Sequence, residues 1–390
     1  RTPLTLRLFS SAIQQLGINL PNLVSWSAAI LLFDSLTLMP FLILRAEEKP
    51  LPFILFKFLN VVLNFVVNMI LIVKLRMGIE GIFIANFISS MVSFILMLPI
   101  CLQHFRFMFS WATFRDLFAF GLPYLPATLS VNLMDTIDKI ILEKLVSVEV
   151  VGLYGPSARL GMFMALFITA FRFAWHPFFL STSKQENAKQ VFTKVFTYVL
   201  LACTVVFLFF SLFIDDIVRL KIGRFSLMGP EYWQGTVVVP IIFIAYIFYA
   251  AYLNFIIGIY LEKKTTYLPF ITGAGILANV IGLYTLIPWL GFVGAAWARV
   301  FAYFIMATAL YIVGQKLYHI DYEWSRLIKL ALLTAVCFFI GRIHFPFFQL
   351  LFKVLIFLLF PIVLRVFGFF EKSELQTGRM MLKRLSWKRS

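Results

Sequence analysis

Long apolar stretches recur along almost the whole chain, and they constrain its fold more than any other feature. A helix needs about 20 mostly apolar residues to cross a bilayer, and eleven stretches approach or exceed that length. They lie at residues 21–44, 53–74, 79–100, 116–140, 150–180, 195–214, 235–261, 267–288, 292–314, 326–341 and 346–369. Only 13% of the 390 residues are charged, against about 25% in soluble domains. The sequence therefore predicts an all-α, multi-pass membrane protein and argues against a soluble enzyme.

The charge balance indicates what the protein meets at the membrane. There are 34 Lys and Arg against 18 Asp and Glu, a formal net charge of +16. In a membrane protein this excess favours contact with anionic lipid or an anionic substrate, and nucleic acid is a poor alternative. Lys and Arg are also more frequent in one set of alternate loops, which places that set and the basic tail, 371–390, in the cytoplasm.

Metal and disulfide sites are not indicated. Cys101, Cys203 and Cys337 lie in or beside apolar runs, and their spacing is not that of metal ligands or of a disulfide framework. We therefore expect three free thiols that only fill apolar space, no metal and no cofactor.

A pattern of small residues, G-x-x-G-x-x-x-A, occurs twice, at residues 78–85 and 291–298. Each copy opens a predicted helix, and the helix before it begins near a Leu-Pro-Phe tripeptide, at Leu51 or Leu268. Small residues at four-residue spacing let helices approach closely. Six predicted helices separate the two copies, so both copies cross the membrane in the same direction. This predicts two six-helix lobes related by a pseudo-twofold axis along the membrane normal.

The repeat also predicts how the chain is divided. Three helices of the first lobe lie in residues 1–100, a cytoplasmic link in 101–115, the six-helix second lobe in 116–314, and two additional helices in 315–370. If the lobes match, three further helices precede Arg1, and the first lobe is truncated in this chain.

Several short segments, taken in their order and spacing, carry a resemblance to a known family. They are residues 44–50, 120–123, 138–142, 151–154 and 170–178, together with the two glycine repeats. They resemble the Wzx-type polysaccharide flippases, which belong to the MATE/MOP transporter superfamily with the multidrug exporters and the lipid II flippases. The resemblance implies a MATE-like two-lobe bundle.

The resemblance also implies a function. An undecaprenyl-diphosphate-linked oligosaccharide would be moved by alternating access from the cytoplasmic to the periplasmic leaflet of the bacterial inner membrane. This step serves the synthesis of O-antigen in lipopolysaccharide, capsule or exopolysaccharide. The implied partners are the lipid-linked oligosaccharide, membrane lipids and the polysaccharide polymerase machinery. Because no covalent bond changes in such a step, we do not expect an enzyme or catalytic residues.

Three arginines fall inside predicted membrane helices: Arg159, Arg172 and Arg299. Each would cost about 2.5–3.5 kcal/mol at mid-depth in lipid, so a water-filled, basic cavity between the lobes is a better environment for them. Guanidinium groups bind phosphate oxygens in pairs and keep their charge near neutral pH. We predict that these arginines bind the substrate diphosphate, with snorkelling or pairing with an acidic neighbour as the alternative for each.

Two intramembrane aspartates, Asp34 and Asp138, are candidates for ion coupling. The sequence leaves other interpretations open for them and their neighbours. Asp135 and Lys139 are four residues apart and could form a structural pair on one helix face. His176 could titrate, but an anchoring role at the membrane interface is more common. The remaining basic residues near helix ends are expected to snorkel; they are Lys57, Lys329, Lys353 and Arg365.

Two other functions fit a chain of this composition. A MATE-type exporter of drugs or cations would need an anionic cavity, whereas the interior charges here are mainly arginines. A membrane polysaccharide polymerase or ligase would need catalytic or metal-binding groups in a sizeable outer loop. The longest predicted outer loop, 215–234, contains Asp215, Asp216 and Glu231 and no histidine. We therefore favour the flippase.

Overall fold

The computed structural model describes residues 20–47, 49–105, 109–222, 225–226, 228–343, 348–371 and 374. Almost all of these residues are helical. In this part of the chain, ten helical stretches are long and apolar enough to cross a membrane. The predicted all-α, multi-pass class is confirmed. The chain divides into two compact units, Arg1–Ser110 and Trp111–Ser390, and the division falls within the predicted link.

The described part of the first unit contains three long helices. They are α1 (Leu20–Ala46), α2 (Pro50–Asn68), which continues as a π-helix (Met69–Lys74), and α3 (Gly78–His104). Proline at the start of α2 is favourable there because the first helical N–H groups have no intrahelical partner. Helix α3 packs against α1 and α2, and Phe41, Leu44 and Met97 form a small buried core. Most other large apolar side chains are exposed, as expected of surfaces that face lipid.

The second unit contains the remaining described elements. In chain order they are α4 (Trp111–Gly121), α5 (Tyr124–Leu145), α6 (Val148–Leu160), α7 (Met162–Thr182), α8 (Ala188–Val218), a hairpin of β1 (Lys221–Ile222) and β2 (Phe225–Ser226), a 3-10 helix (Pro230–Val238), α9 (Val239–Phe255), α10 (Ile257–Leu261), a 3-10 turn (Thr265–Tyr267), α11 (Leu268–Leu290), α12 (Phe292–Leu317), α13 (Trp324–Gly341) and α14 (Gln349–Val366). Its largest buried cluster is formed mainly by α8, α9 and α12.

Two predicted helices are broken in the structure. The stretch 116–140 becomes α4 and α5, because the chain turns at Leu122 and Pro123 before α5 begins. Proline has no N–H to donate to the preceding turn, so the helix is interrupted there. The stretch 150–180 becomes α6 and α7, which meet at Gly161. At Gly161 a Cβ atom would lie 2.6 Å from the Ile242 side chain, so a larger residue would not fit.

The two glycine repeats adopt the same local structure, each at the start of the second helix of a hairpin. Gly78 and Gly291 have φ angles of +59° and +58°, a left-handed conformation that favours glycine. The alanines that close the two patterns, Ala85 and Ala298, are both fully buried. The sequence spacing between tripeptide and glycine is four residues longer in the first hairpin. The π-helix and the three-residue turn before Gly78 accommodate the extra length.

Gly294 provides a test of this close packing. A Cβ atom there would lie 2.4 Å from the backbone oxygen of Leu286, and backbone cannot move aside as a flexible side chain can. We expect Gly294→Ala to destabilise the protein by about 1–3 kcal/mol, the usual cost of overpacking. Gly273→Ala on α11 is the matched control, since a Cβ atom there meets nothing within 4 Å; it should be neutral or slightly stabilising. Thermal unfolding of the purified protein in detergent would compare them, and equal midpoints would contradict the expectation.

Candidate functional site

A buried cluster of charges joins α5 to α12. Arg299 is 5% exposed, and its Nε atom donates to Asp138 Oδ2 at 3.0 Å, with a second, shorter bond from Nη2 to the same oxygen. Its Nη1 atom lies 2.7 Å from Asp135 Oδ1. Asp138 is fully buried, whereas the Asp135 side chain is 57% exposed. With all three groups ionised, the cluster has a net charge of −1.

Two polar atoms at this cluster, Asp138 Oδ1 and the Tyr154 hydroxyl, have no hydrogen-bond partner among the described residues. Asn279 on α11 lies beside Asp138. Buried polar groups are usually paired, so unpaired ones in a native fold indicate a special role or a small polar ligand. The cluster therefore has hydrogen-bonding capacity that the described residues do not use.

Local sequence explains how the arginine reaches the aspartates. Asp135 and Asp138 are three residues apart on α5, so both face α12. Helices α11 and α12 can approach closely because Gly282 has no side chain. A Cβ atom at this position would lie only 2.9 Å from Ala298, the residue before Arg299. The interpretation that Asp135 pairs with Lys139 is wrong: the carboxylate bonds to Arg299, and no ion pair of Lys139 occurs among the described residues.

The three predicted diphosphate-binding arginines have different environments. Arg299 is buried and directs all three guanidinium nitrogens at carboxylates, so its charge is already paired in this structure. Arg172 lies half-buried at the middle of α7, and Arg159 is exposed in the last turn of α6. Neither of these two has an ion pair in the part of the chain that the structure describes. The cavity predicted between lobes stays a prediction.

The remaining predicted residues lie as follows. Asp34 is exposed on α1 and accepts a hydrogen bond of 2.6 Å from the Ser90 hydroxyl on α3. The His176 ring packs against Phe179 and Tyr260, at centroid distances of 5.7 and 5.5 Å. This aromatic contact is of the kind expected for an anchor at the membrane interface.

One of the four basic residues expected to snorkel was wrongly interpreted. Lys353 is 6% exposed, and its ammonium group lies 2.6 Å from Asp216 Oδ2 on α8. The Lys57 ammonium group lies 4.3 Å from the centroid of the Phe41 ring. Lys329 and Arg365 are exposed. Lys353 and Asp216 are 137 residues apart in sequence, so no local pattern signals their contact.

Sequence reasoning also missed an ionic cluster on α13. Arg326 is 9% exposed and bonds both Glu323 and Glu374, with its Nη2 atom 2.9 Å from Glu374 Oε2. Partial burial of Glu374 opposes ionisation, but the N–H of Glu371 and the Arg326 guanidinium hold the pKa of Glu374 below its ordinary value. The pair at positions 323 and 326 has helical spacing and could have been predicted; the contact with Glu374 could not.

The fold is shared with solved transporters. A variant of the Vibrio cholerae MATE transporter VcmN matches with a TM-score of 0.63 and 14% identity, over 79% of this chain and 73% of that one. The lipid II flippase MurJ, in an inward closed conformation, matches with a TM-score of 0.62 and 16% identity, over 87% of this chain and 73% of that one. At such identities the likeness concerns the fold, and it confirms the predicted MATE-like class. No curated protein sequence matches this chain.

The sequence itself identifies the family. The model of a family described as polysaccharide biosynthesis protein matches residues 10–225. This match covers the whole first unit from residue 10 onward, and it extends through α8. Because more than half of the sequence is matched, the chain belongs to this family of polysaccharide biosynthesis proteins.

Proposed function

We propose that the protein moves an undecaprenyl-diphosphate-linked oligosaccharide across the bacterial inner membrane, for the synthesis of a surface polysaccharide such as O-antigen or capsule. Membership of a polysaccharide biosynthesis family supports the pathway, and a fold that a lipid II flippase also has supports the type of step. Transport requires no covalent change, and the proposal includes none. A contact with the polysaccharide polymerase machinery belongs to the same proposal.

Arg172 carries the proposal. It lies at the middle of a membrane-spanning helix and has no ion pair among the described residues. A guanidinium group in lipid at this depth costs about 2.5–3.5 kcal/mol, a large part of the ~5–15 kcal/mol by which whole folds are stable. A diphosphate offsets that cost, because it supplies several charged acceptors that match the guanidinium fork. Arg159, near the junction of α6 and α7, would be a second phosphate ligand.

The buried cluster on α5 and α12 would couple transport to an ion. With all three groups ionised, its net charge of −1 would be neutralised by one proton or one monovalent cation, and Asp135 is the exposed group through which either could enter. Neutralising Asp135 would weaken its ion pair with Arg299, and one edge of the guanidinium group would become free. Asp138 would then keep Arg299 in place, and the freed edge could contact a phosphate. Asp34 is the corresponding candidate in the first unit.

The experiment that tests the function uses cells that lack the gene. We expect these cells to accumulate the lipid-linked saccharide on the cytoplasmic leaflet and to lose surface polysaccharide. Returning the gene should reverse both effects. Protection of the saccharide from an added, membrane-impermeant glycosidase in spheroplasts would report the leaflet. Saccharide that accumulates as single units on the outer leaflet would contradict transport and indicate a polymerase. An unchanged saccharide pool together with increased sensitivity to toxic cations would indicate an exporter.

A further inference from the structure

A row of amide side chains crosses the otherwise apolar face between α2 and α3. Asn60, Asn64 and Asn68 follow each other at four-residue spacing on α2, so they share one face of the helix. Asn60 Nδ2 donates to Ser93 Oγ at 2.6 Å, and Asn64 Nδ2 donates to Asn86 Oδ1 at 2.8 Å. Asn68 Nδ2 donates to Asn64 Oδ1 at 2.9 Å. We call these five residues the amide seam.

The polar row continues beyond the amide seam to α1. Ser90 lies one helical turn after Asn86 on α3, and it is the residue that donates to Asp34. Asp34 is exposed, and the four asparagines are half-buried rather than enclosed. The row therefore runs from α2 across α3 to a carboxylate on α1; its asparagines and the carboxylate are accessible in part, whereas Ser90 and Ser93 are buried.

Helix packing alone does not account for the amide seam. Hydrogen bonds between membrane helices do contribute to association, by about 0.6 kcal/mol each on average. The equivalent hairpin of the second unit, α11 with α12, is built on the same glycine repeat and packs closely. It does so through small residues such as Gly282 and Ala298, and the only asparagine of α11, Asn279, has no amide partner among the described residues. The hairpin can thus form without a row of amides.

The amide seam also has unused acceptors. The Oδ1 atoms of Asn60 and Asn68 accept no hydrogen bond among the described residues, although both Nδ2 groups donate. An amide offers donors and an acceptor side by side, which suits neighbouring hydroxyl groups. The charges exclude a phosphate as the ligand, because Asp34 at the end of the row would repel it. The nearest cation on this face of α2, Lys57, is directed to the Phe41 ring.

We propose that the amide seam binds the sugar part of the lipid-linked substrate. This inference rests on the proposed function and adds to it the part of the substrate that the first unit contacts. Uncharged amides of the amide seam contact sugar hydroxyls at membrane depth, where a polar head group must find compensation for lost hydration.

The test compares two lipids on the purified full chain in lipid nanodiscs. One probe is the lipid-linked saccharide extracted from cells that lack the gene, and the other is polyprenyl diphosphate without sugar. We expect Asn86→Leu, which keeps the side-chain size, to weaken binding of the saccharide probe about tenfold and to leave the sugar-free probe unchanged. Thr285→Val is the control, because the Thr285 hydroxyl bonds only to backbone of its own helix, α11.

Asn68→Leu provides a second variant if Asn86→Leu fails to fold, because Asn68 bonds only within α2 and its loss leaves the contacts with α3 intact. Equal weakening of both probes, or no weakening of either, would overturn the sugar assignment. A wild-type chain that binds neither probe would instead overturn the proposed function. The two failures are therefore distinguishable.

Discussion

Replacing Arg299 with alanine is expected to destabilise the protein by about 3–5 kcal/mol, the usual cost of removing one partner of a buried ion pair. The reason is the fully buried Asp138, which would lose its guanidinium partner and would have to stay buried either charged without a counterion or protonated without its hydrogen bonds. Since folds are stable by only about 5–15 kcal/mol, most of the variant should be lost from the membrane or aggregate on extraction. Size-exclusion chromatography of a fluorescent fusion, with thermal midpoints, would measure this. Arg365→Ala, at an exposed position on α14, is the control.

A double variant separates the structural role from the coupling role. Asp138→Leu combined with Arg299→Met removes both charges and leaves apolar groups of similar size, which is often neutral or stabilising for a buried pair. We expect the folded protein to return while transport driven by an imposed proton or sodium gradient stays absent. Gradient-driven transport at the wild-type rate would show that the cluster does not couple transport to an ion. A single Arg299→Ala variant as stable as the wild type would contradict the buried pair itself.

Replacing Arg172 with alanine is expected to lower surface polysaccharide at least tenfold, about the effect of losing one charge-assisted hydrogen bond, while the amount of protein in the membrane is unchanged. Abundance should hold because Arg172 is half-buried and has no ion pair among the described residues whose partner would be left uncompensated. Arg172→Lys keeps the charge but not the planar fork, so partial function is expected. Surface polysaccharide and membrane protein would be quantified in the same cells.

Arg159→Ala should act in the same direction, more weakly, because Arg159 is the more exposed of the two. Accumulation of the lipid-linked saccharide on the cytoplasmic leaflet should accompany the loss in both variants. A double variant, Arg159→Ala with Arg172→Ala, that still gives normal polysaccharide would show that these arginines do not bind the diphosphate. Substrate binding would then need a different explanation.

Local sequence was sufficient to predict those parts of the structure that depend only on a neighbouring stretch of chain. The positions of the long helices follow from apolar length, since a bilayer leaves a backbone few alternatives to a helix. The left-handed conformation at Gly78 and Gly291 follows from a glycine that ends one helix and begins the next. The four-residue spacing of Asn60, Asn64 and Asn68 is equally visible in the sequence, and that spacing alone is enough to indicate a polar face on α2.

Ionic partners depended on contacts between distant parts of the chain. Asp135 had a suitable partner four residues away in Lys139, but the structure pairs it with Arg299, and Arg299 is 161 residues from Asp138. Lys353 could have reached the membrane surface, yet it bonds Asp216. By itself the sequence determined the membrane class, the glycine repeat and the position of most apolar helices, because hydrophobic length and glycine conformation are local properties. Only the tertiary structure decided which charges neutralise each other. Coulombic attraction depends on the distance in space between two charges, and sequence separation does not give that distance.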